Sequence, residues 1–206
     1  MHLIKSKFNL IIFISLFSHI LASYFSTGWV NADEQSCILE YVNFKLGYQS
    51  DPCFLNISDG SVKNSSIIIR SWLQPFLYFI IAKILIFLNL TDFFTITFII
   101  KLIGSILGFY AIYFFYNVTE KNIKNNKIKN FYFIIIFLYW FFPLLHARTS
   151  AENLSTSFLL IALSYYLNNK NKQDIFKLTS FGILLGCAFV FRYNVGICIA
   201  SILCWI

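Results

Sequence analysis

Residues 8–25 read FNLIIFISLFSHILASYF, an apolar run that follows a basic start at Lys5 and Lys7. A signal peptide begins the same way, but its apolar core is shorter and ends in a small-x-small cleavage pattern. Here Ala22 and Ser23 run straight into Tyr24 and Phe25. The run is therefore read as a retained membrane anchor. Five further blocks are each nearly free of charge: Trp72–Leu90, Phe93–Tyr116, Phe131–Leu145, Leu154–Leu167 and Leu178–Phe191. A bilayer core requires about 20 apolar helical residues, and the shorter blocks reach that length with their flanks. Of the 206 residues, 58% are hydrophobic, 20% aromatic and only 12% charged. A soluble domain carries about a quarter charged residues. The expected fold is all-α: one multi-pass transmembrane helical bundle over residues 1–206.

The formal charge of +7 does not indicate nucleic acid. The lysines fall in short loops between apolar blocks, at Lys121, Lys124, Lys127 and Lys129, and again at Lys170, Lys172 and Lys177. The positive-inside rule places such loops in the cytoplasm. Residues 26–70, by contrast, hold Asp33, Glu34, Glu40, Asp51 and Asp59 and are expected on the outer side as a long first extracytoplasmic loop. If every block crossed, the loop 117–130 would land outside. The block 72–90 is the one expected not to cross, because Lys83 lies in its middle. A central lysine costs about 2.5–3.5 kcal/mol on insertion scales. The apolar run to Trp205–Ile206 ends within a helix, so the sequence reads as the N-terminal part of a longer protein.

Cys187, Cys198 and Cys204 lie in apolar segments and are expected to be small packing residues. Cys37 and Cys53 share the polar loop, where an oxidising compartment would let them pair. No Cys/His spacing suggests a metal, and no P-loop or Gly-rich fingerprint suggests a nucleotide. No cofactor is expected.

With this topology, Asp33, Glu34, Arg70, His146, Arg148, Glu152 and Arg192 all fall at the outer face. Simpler roles exist for most of them. Asp33 and Glu34 could belong to a solvated loop, and Arg70 could be an interfacial anchor beside Trp72. His146, Arg148 and Glu152 suit helix ends. Arg192 directly follows the apolar run Gly186–Phe191. A buried guanidinium needs an anion, and a lipid phosphate is one.

Four stretches carry a family resemblance. Asn31-Ala32-Asp33-Glu34-Gln35-Ser36-Cys37-Ile38-Leu39-Glu40 resembles the His-Pro-Asp-Glu-x-x-Gln-x-x-Glu motif of the dolichyl-phosphate-mannose-dependent mannosyltransferases of glycosyltransferase family 22. That family includes the Alg9-like and GPI mannosyltransferases. Arg70-Ser71-Trp72-Leu73-Gln74-Pro75, Ala147–Asn153 and Phe189–Tyr193 resemble its later stretches, in the same order. Asn31 and Ala32 stand in place of His-Pro, Cys37 in place of Gln, and Tyr193 where Pro is common. The resemblance implies a GT-C membrane fold. It also implies transfer of a mannosyl group from a polyprenyl- or dolichyl-phosphate sugar to a glycan or glycolipid acceptor, in the endoplasmic reticulum. A bacterial inner membrane is the other setting the composition allows. The resemblance makes Asp33 the base, with Glu34 supporting it. Arg70, His146, Arg148, Glu152 and Arg192 then serve as substrate-binding residues. Membrane lipids are the other expected partners. A transporter subunit and a non-catalytic membrane subunit are the alternatives. Transporters place polar groups near the bilayer midplane, whereas the candidates here gather at one face.

Overall fold

The computed structural model describes residues 2–26, 38–48, 57–58, 61–62, 71–170 and 174–205. Asp33, Glu34, Arg70, Cys37 and Cys53 lie outside these residues. The described elements are α1 (His2–Phe25), α2 (Glu40–Leu46), a hairpin of β1 (Ile57–Ser58) and β2 (Ser61–Val62), α3 (Leu73–Phe87), α4 (Phe93–Thr119), α5 (Asn126–Leu138), α6 (Phe141–His146), α7 (Ala151–Asn169), α8 (Ile175–Phe191) and α9 (Gly196–Trp205). The all-α membrane reading holds. Among the described residues, three stretches are long and apolar enough to cross a bilayer: Phe8–Phe25, Phe93–Asn122 and Asn126–His146.

Local chemistry explains the boundaries. Four helices start on a side chain that accepts a backbone N–H: Asp92 from Thr95, Asn125 from Lys127, Ser150 from Asn153 and Asp174 from Phe176. These are the residue types that satisfy orphan donors at a helix start. The α5–α6 span breaks at Tyr139–Trp140. Pro143 lies four residues beyond Tyr139 and has no N–H to continue the ladder. Pro75 causes no such break, because it lies in the first turn of α3, where that N–H is not needed. Asn89, at φ 63°, ends α3 in the left-handed region, which asparagine tolerates better than most residues.

Side-chain contacts fix the directions of the helices. Tyr24 of α1 meets Phe94 and Phe98 of α4, while Phe8 meets Phe133 of α5, which in turn meets Tyr116 near the far end of α4. Helices α1 and α4 are therefore antiparallel, and α5–α6 returns alongside α1. Helix α7 runs parallel to α4, since Gly104 approaches Asn153 and Lys121 reaches Asn168. Helix α8 returns: Phe191 stacks on Phe158, and Phe181 packs on Tyr166. The lysine-bearing segment 120–129 thus shares one end of the bundle with Lys170 and Lys177. Ser26, Asp92, the turn 147–150 and Arg192 share the other, called here the site end.

Helix α3 is the exception to the up-and-down pattern. Its first turn is tied to the turn 147–150 through Gln74 and Thr149. Its last residues lead within a short turn into the start of α4. Both of its ends therefore sit at the site end. Its buried face, Tyr78, Ala82 and Leu85, packs into one cluster with Ile96, Ile100, Leu154 and Phe191. Fifteen residues span only about 22 Å, short of the roughly 30 Å hydrocarbon core. Lys83 is exposed and lies 5.0 Å from the Phe79 ring centroid. The stretch read as a polar loop also contains α2, whose Val42 packs, with Ile38 just before the helix, against the α3 cluster.

Helix α7 is long, yet it is not apolar enough to count among the crossing stretches. It buries Asn153, Ser155, Ser157 and Ser164. Ser155 donates to the Ala188 carbonyl at 2.6 Å, and Ser157 to that of Asn153 at 2.8 Å. Small hydroxyl side chains let helices approach closely and hydrogen-bond within or between them. The cysteines of α9, Cys198 and Cys204, are exposed, contrary to the expectation of packing; Cys187 is partly buried. Helix α9 buries none of its residues within the described bundle.

Candidate functional site

Three chain segments meet at the site end: the start of α3, the turn 147–150 with the start of α7, and the end of α8. Asn153 closes the turn. Its side-chain amide donates to the carbonyls of His146 at 2.8 Å and Arg148 at 2.9 Å. Ser150 accepts the Asn153 N–H, and Thr149 is buried. One side chain therefore satisfies two carbonyls that the end of α6 leaves unpaired. Gln74 fastens α3 to the same turn. Its Nε2 donates to the Thr149 carbonyl at 2.6 Å and to the Tyr78 hydroxyl at 3.0 Å.

Arg192 is placed by the end of α8. The Ser155–Ala188 hydrogen bond and the Phe158–Phe191 stack hold that end against α7. The backbone then turns extended at Arg192. The guanidinium Nη2 lies 2.8 Å from Glu152 Oε1. Arg192 is largely covered and Glu152 about half exposed, so the pair sits at a boundary rather than in the core. Beside it lies a cavity of about 270 Å³, lined among others by Ile38, Ser71, Trp72, Gln74, Arg192 and Tyr193. A covered cation beside a small cavity can hold an anionic ligand, and its guanidinium geometry suits phosphate or carboxylate.

The structure pairs Glu152 with Arg192, a contact the sequence reading did not name, and leaves Arg148 in the turn beside them. His146 goes elsewhere. Its ring turns toward α1, where its Nδ1 lies 3.0 Å from His19 Nε2. His19 Nδ1 lies 2.7 Å from the Ser15 carbonyl, which can only accept, so that nitrogen carries the proton. In a neutral His19, Nε2 then accepts from His146 Nδ1–H. The His146 ring lies over Gly108 and stacks on Phe142. Among the described residues no third His, Cys, Asp or Glu joins the pair to make a metal centre.

Sequence reasoning missed His19, Gln74, Asn153 and Lys101. Lys101 lies inside a block read as almost uncharged, and its ammonium donates to the Ser26 carbonyl at the end of α1. Two signals pointed to the histidine pair. Ser15, His19 and Ser23 recur at four-residue spacing and form one polar stripe on an otherwise apolar helix. Gly104-x-x-x-Gly108 is the small-residue spacing that admits a close neighbour.

A helical bundle that crosses a membrane and gathers a cation, an acid and a small cavity at one end defines the class: a polytopic membrane protein with a ligand site at the bundle's end. The model of the Alg9-like mannosyltransferase family matches residues 64–205, more than two thirds of the chain, and the protein belongs to that family. It is thus a membrane glycosyltransferase, and its family implies a sugar-phosphate donor and a glycan acceptor. The match covers Arg70–Pro75, Ala147–Asn153 and Phe189–Tyr193; the stretch Asn31–Glu40 precedes it. Neither a curated protein nor a solved structure matches the chain.

Proposed function

We propose that this protein transfers a mannosyl, or more broadly hexosyl, group from a polyprenyl- or dolichyl-phosphate sugar to a glycan or glycolipid, at the site end of the bundle. The observation that carries this reading is Arg192, a largely covered cation at the edge of a membrane bundle beside a cavity about the size of one sugar. The donor's tail belongs in hydrocarbon, so its phosphate must be read at headgroup depth. A guanidinium at a helix end is suited to that task.

In the proposed reaction an acceptor hydroxyl attacks the anomeric carbon of the donor sugar. The bond from that carbon to the phosphate oxygen breaks as the new glycosidic bond forms. The hydroxyl proton goes to the Asp33 carboxylate, and the polyprenyl phosphate leaves with its added negative charge facing Arg192. Asp33 and Glu34 precede Ile38 by five and four residues, and Ile38 lines the cavity. Arg70 immediately precedes Ser71, which also lines it. Arg148 and Glu152 flank the turn, with Glu152 serving as counter-ion to Arg192 until the donor binds. His146 supports the turn from behind. The first extracytoplasmic loop, residues 26–70, is proposed as the catalytic loop and the site end as lumenal, in the endoplasmic reticulum; a bacterial periplasm is the equivalent alternative.

The test uses the full chain in lipid nanodiscs, with radiolabelled dolichyl-phosphate mannose and a glycolipid fraction as acceptor. Label is expected to enter the glycolipid, and Asp33→Asn is expected to abolish the transfer while the protein stays folded. Arg192→Ala is expected to raise the donor KM. Transfer at the wild-type rate by Asp33→Asn would remove Asp33 as the base.

A further inference from the structure

Gln74 carries a hydrogen-bonding group that no other described residue uses. The residue is 1% exposed. The direction of its amide is fixed, because the Thr149 carbonyl can only accept and therefore must face the NH₂ group. Tyr78 hydroxyl takes the other position on that nitrogen. The carbonyl oxygen, Oε1, is consequently directed elsewhere, and it has no hydrogen-bond partner among the described residues. A buried acceptor left in that state is a standing penalty in a native structure and calls for an explanation. Gln74 lines the same cavity as Arg192, Trp72 and Tyr193.

We infer that Gln74 is a sugar-binding residue: its Oε1 accepts a hydroxyl of the donor hexose, which occupies the 270 Å³ cavity while the donor phosphate meets Arg192. The inference rests on the glycosyltransfer reading above and deepens it by assigning the hexose its place. Sugar hydroxyls donate, and Oε1 only accepts, so the missing partner is of the kind a hexose supplies. Trp72 and Tyr193 add aromatic surface to the lining, suited to the apolar face of a sugar ring. The volume lies just under the range of about 300–1,000 Å³ usual for drug-sized ligands, which favours a single ring over a nucleotide sugar. Gln74 also explains why the site is tied to the turn 147–150: the hydrogen bond that positions the amide is the one it donates to the Thr149 carbonyl of that turn.

The experiment compares two lipids on the full-length protein in nanodiscs: radiolabelled dolichyl-phosphate mannose and dolichyl phosphate. Gln74→Met keeps the side-chain length and removes the acceptor together with the amide donor to the Thr149 carbonyl, a structural loss that the dolichyl phosphate arm reads separately. It is expected to weaken binding of the mannosylated lipid by roughly ten- to a hundredfold, the usual effect of leaving a buried polar contact unmade. Dolichyl phosphate should bind Gln74→Met as it binds the wild type, which also reports that the variant is folded. Arg192→Ala should weaken both lipids. A second arm changes the ligand instead of the protein, using donors lacking one mannose hydroxyl at a time. One of them should lose affinity on the wild type and lose nothing further on Gln74→Met. Equal loss of both lipids in Gln74→Met, or no loss of either, would overturn the inference while leaving the glycosyltransfer reading in place. If the wild type binds neither lipid, that reading fails and the inference with it.

Discussion

Gly108→Ala should be far more damaging than its single methyl suggests. An added Cβ would stand 2.6 Å from His146 Cδ2 and 2.7 Å from Nδ1, where ordinary contact begins at about 3.4 Å. The ring must therefore move by about 1 Å, and its 3.0 Å hydrogen bond to His19 cannot survive that shift. Overpacking of this kind costs about 1–3 kcal/mol. The lost interhelical hydrogen bond adds about 0.6 kcal/mol, with an upper value near 1.7 in membrane proteins. The expected total is about 2–4 kcal/mol, opposed by up to about 1 kcal/mol from the better helix propensity of alanine. The assay is a double-mutant cycle with His146→Ala, following unfolding by detergent titration and far-UV circular dichroism. Once the His146 ring is gone, the added methyl has nothing to strike, and the same substitution should be neutral or mildly stabilising. Equal destabilisation in both backgrounds would show that the Gly108–His146 approach is not what the glycine serves.

Asn153→Ala removes the two hydrogen bonds that close the turn after α6. It should cost about 1–3 kcal/mol in the same unfolding assay, since two partly buried carbonyls lose their donor. Glu152→Gln frees Arg192 from its counter-ion, and should tighten dolichyl phosphate binding severalfold in an equilibrium binding measurement; weaker binding would mean that Glu152 does not compete with the phosphate. Single cysteines at Ser61 and Asn125, in a chain cleared of its other cysteines, should label with an impermeant reagent from opposite sides of sealed vesicles. Labelling of both from one side would refute the assignment of the lysine-bearing end to the cytoplasm.

What the sequence made legible was the length of each apolar block and the position of each lysine. Those two features suffice to recognise the bundle, and the parity they impose singles out the stretch 72–90, which became α3. They are properties of composition and count. The miss at His19 has a different origin. A hydropathy reading averages over a helix, and eighteen residues containing one histidine and three serines still average as apolar. What mattered was that Ser15, His19 and Ser23 share a face, which is a matter of phase rather than mean. Glu152 and Arg192 were recognisable because charges stand out against an apolar background. Their pairing was not, since it depends on how Ser155 and Phe158 seat α8 against α7. Gln74 and Asn153 were harder still. Uncharged amides are common in this Asn-rich chain, and only the carbonyls they meet show what they do.

The enclosed position of α7 bears on how the protein is made. A helix enters the bilayer on its own when its side chains prefer lipid to water, and α7, with its buried serines and asparagine, is the long helix that fails that criterion. Its serines find their partners on itself and on α8, and Asn153 finds its own at the end of α6 and in the turn that follows. Insertion of α7 is therefore expected to be a collective event, in which the segment settles in the bilayer once α4 is present and α8 arrives to cover it. Substitutions on the facing side of α8, around Leu185 and Ala188, should then appear as defects of biogenesis, with α7 left outside the bilayer, even where no residue of the cavity has changed.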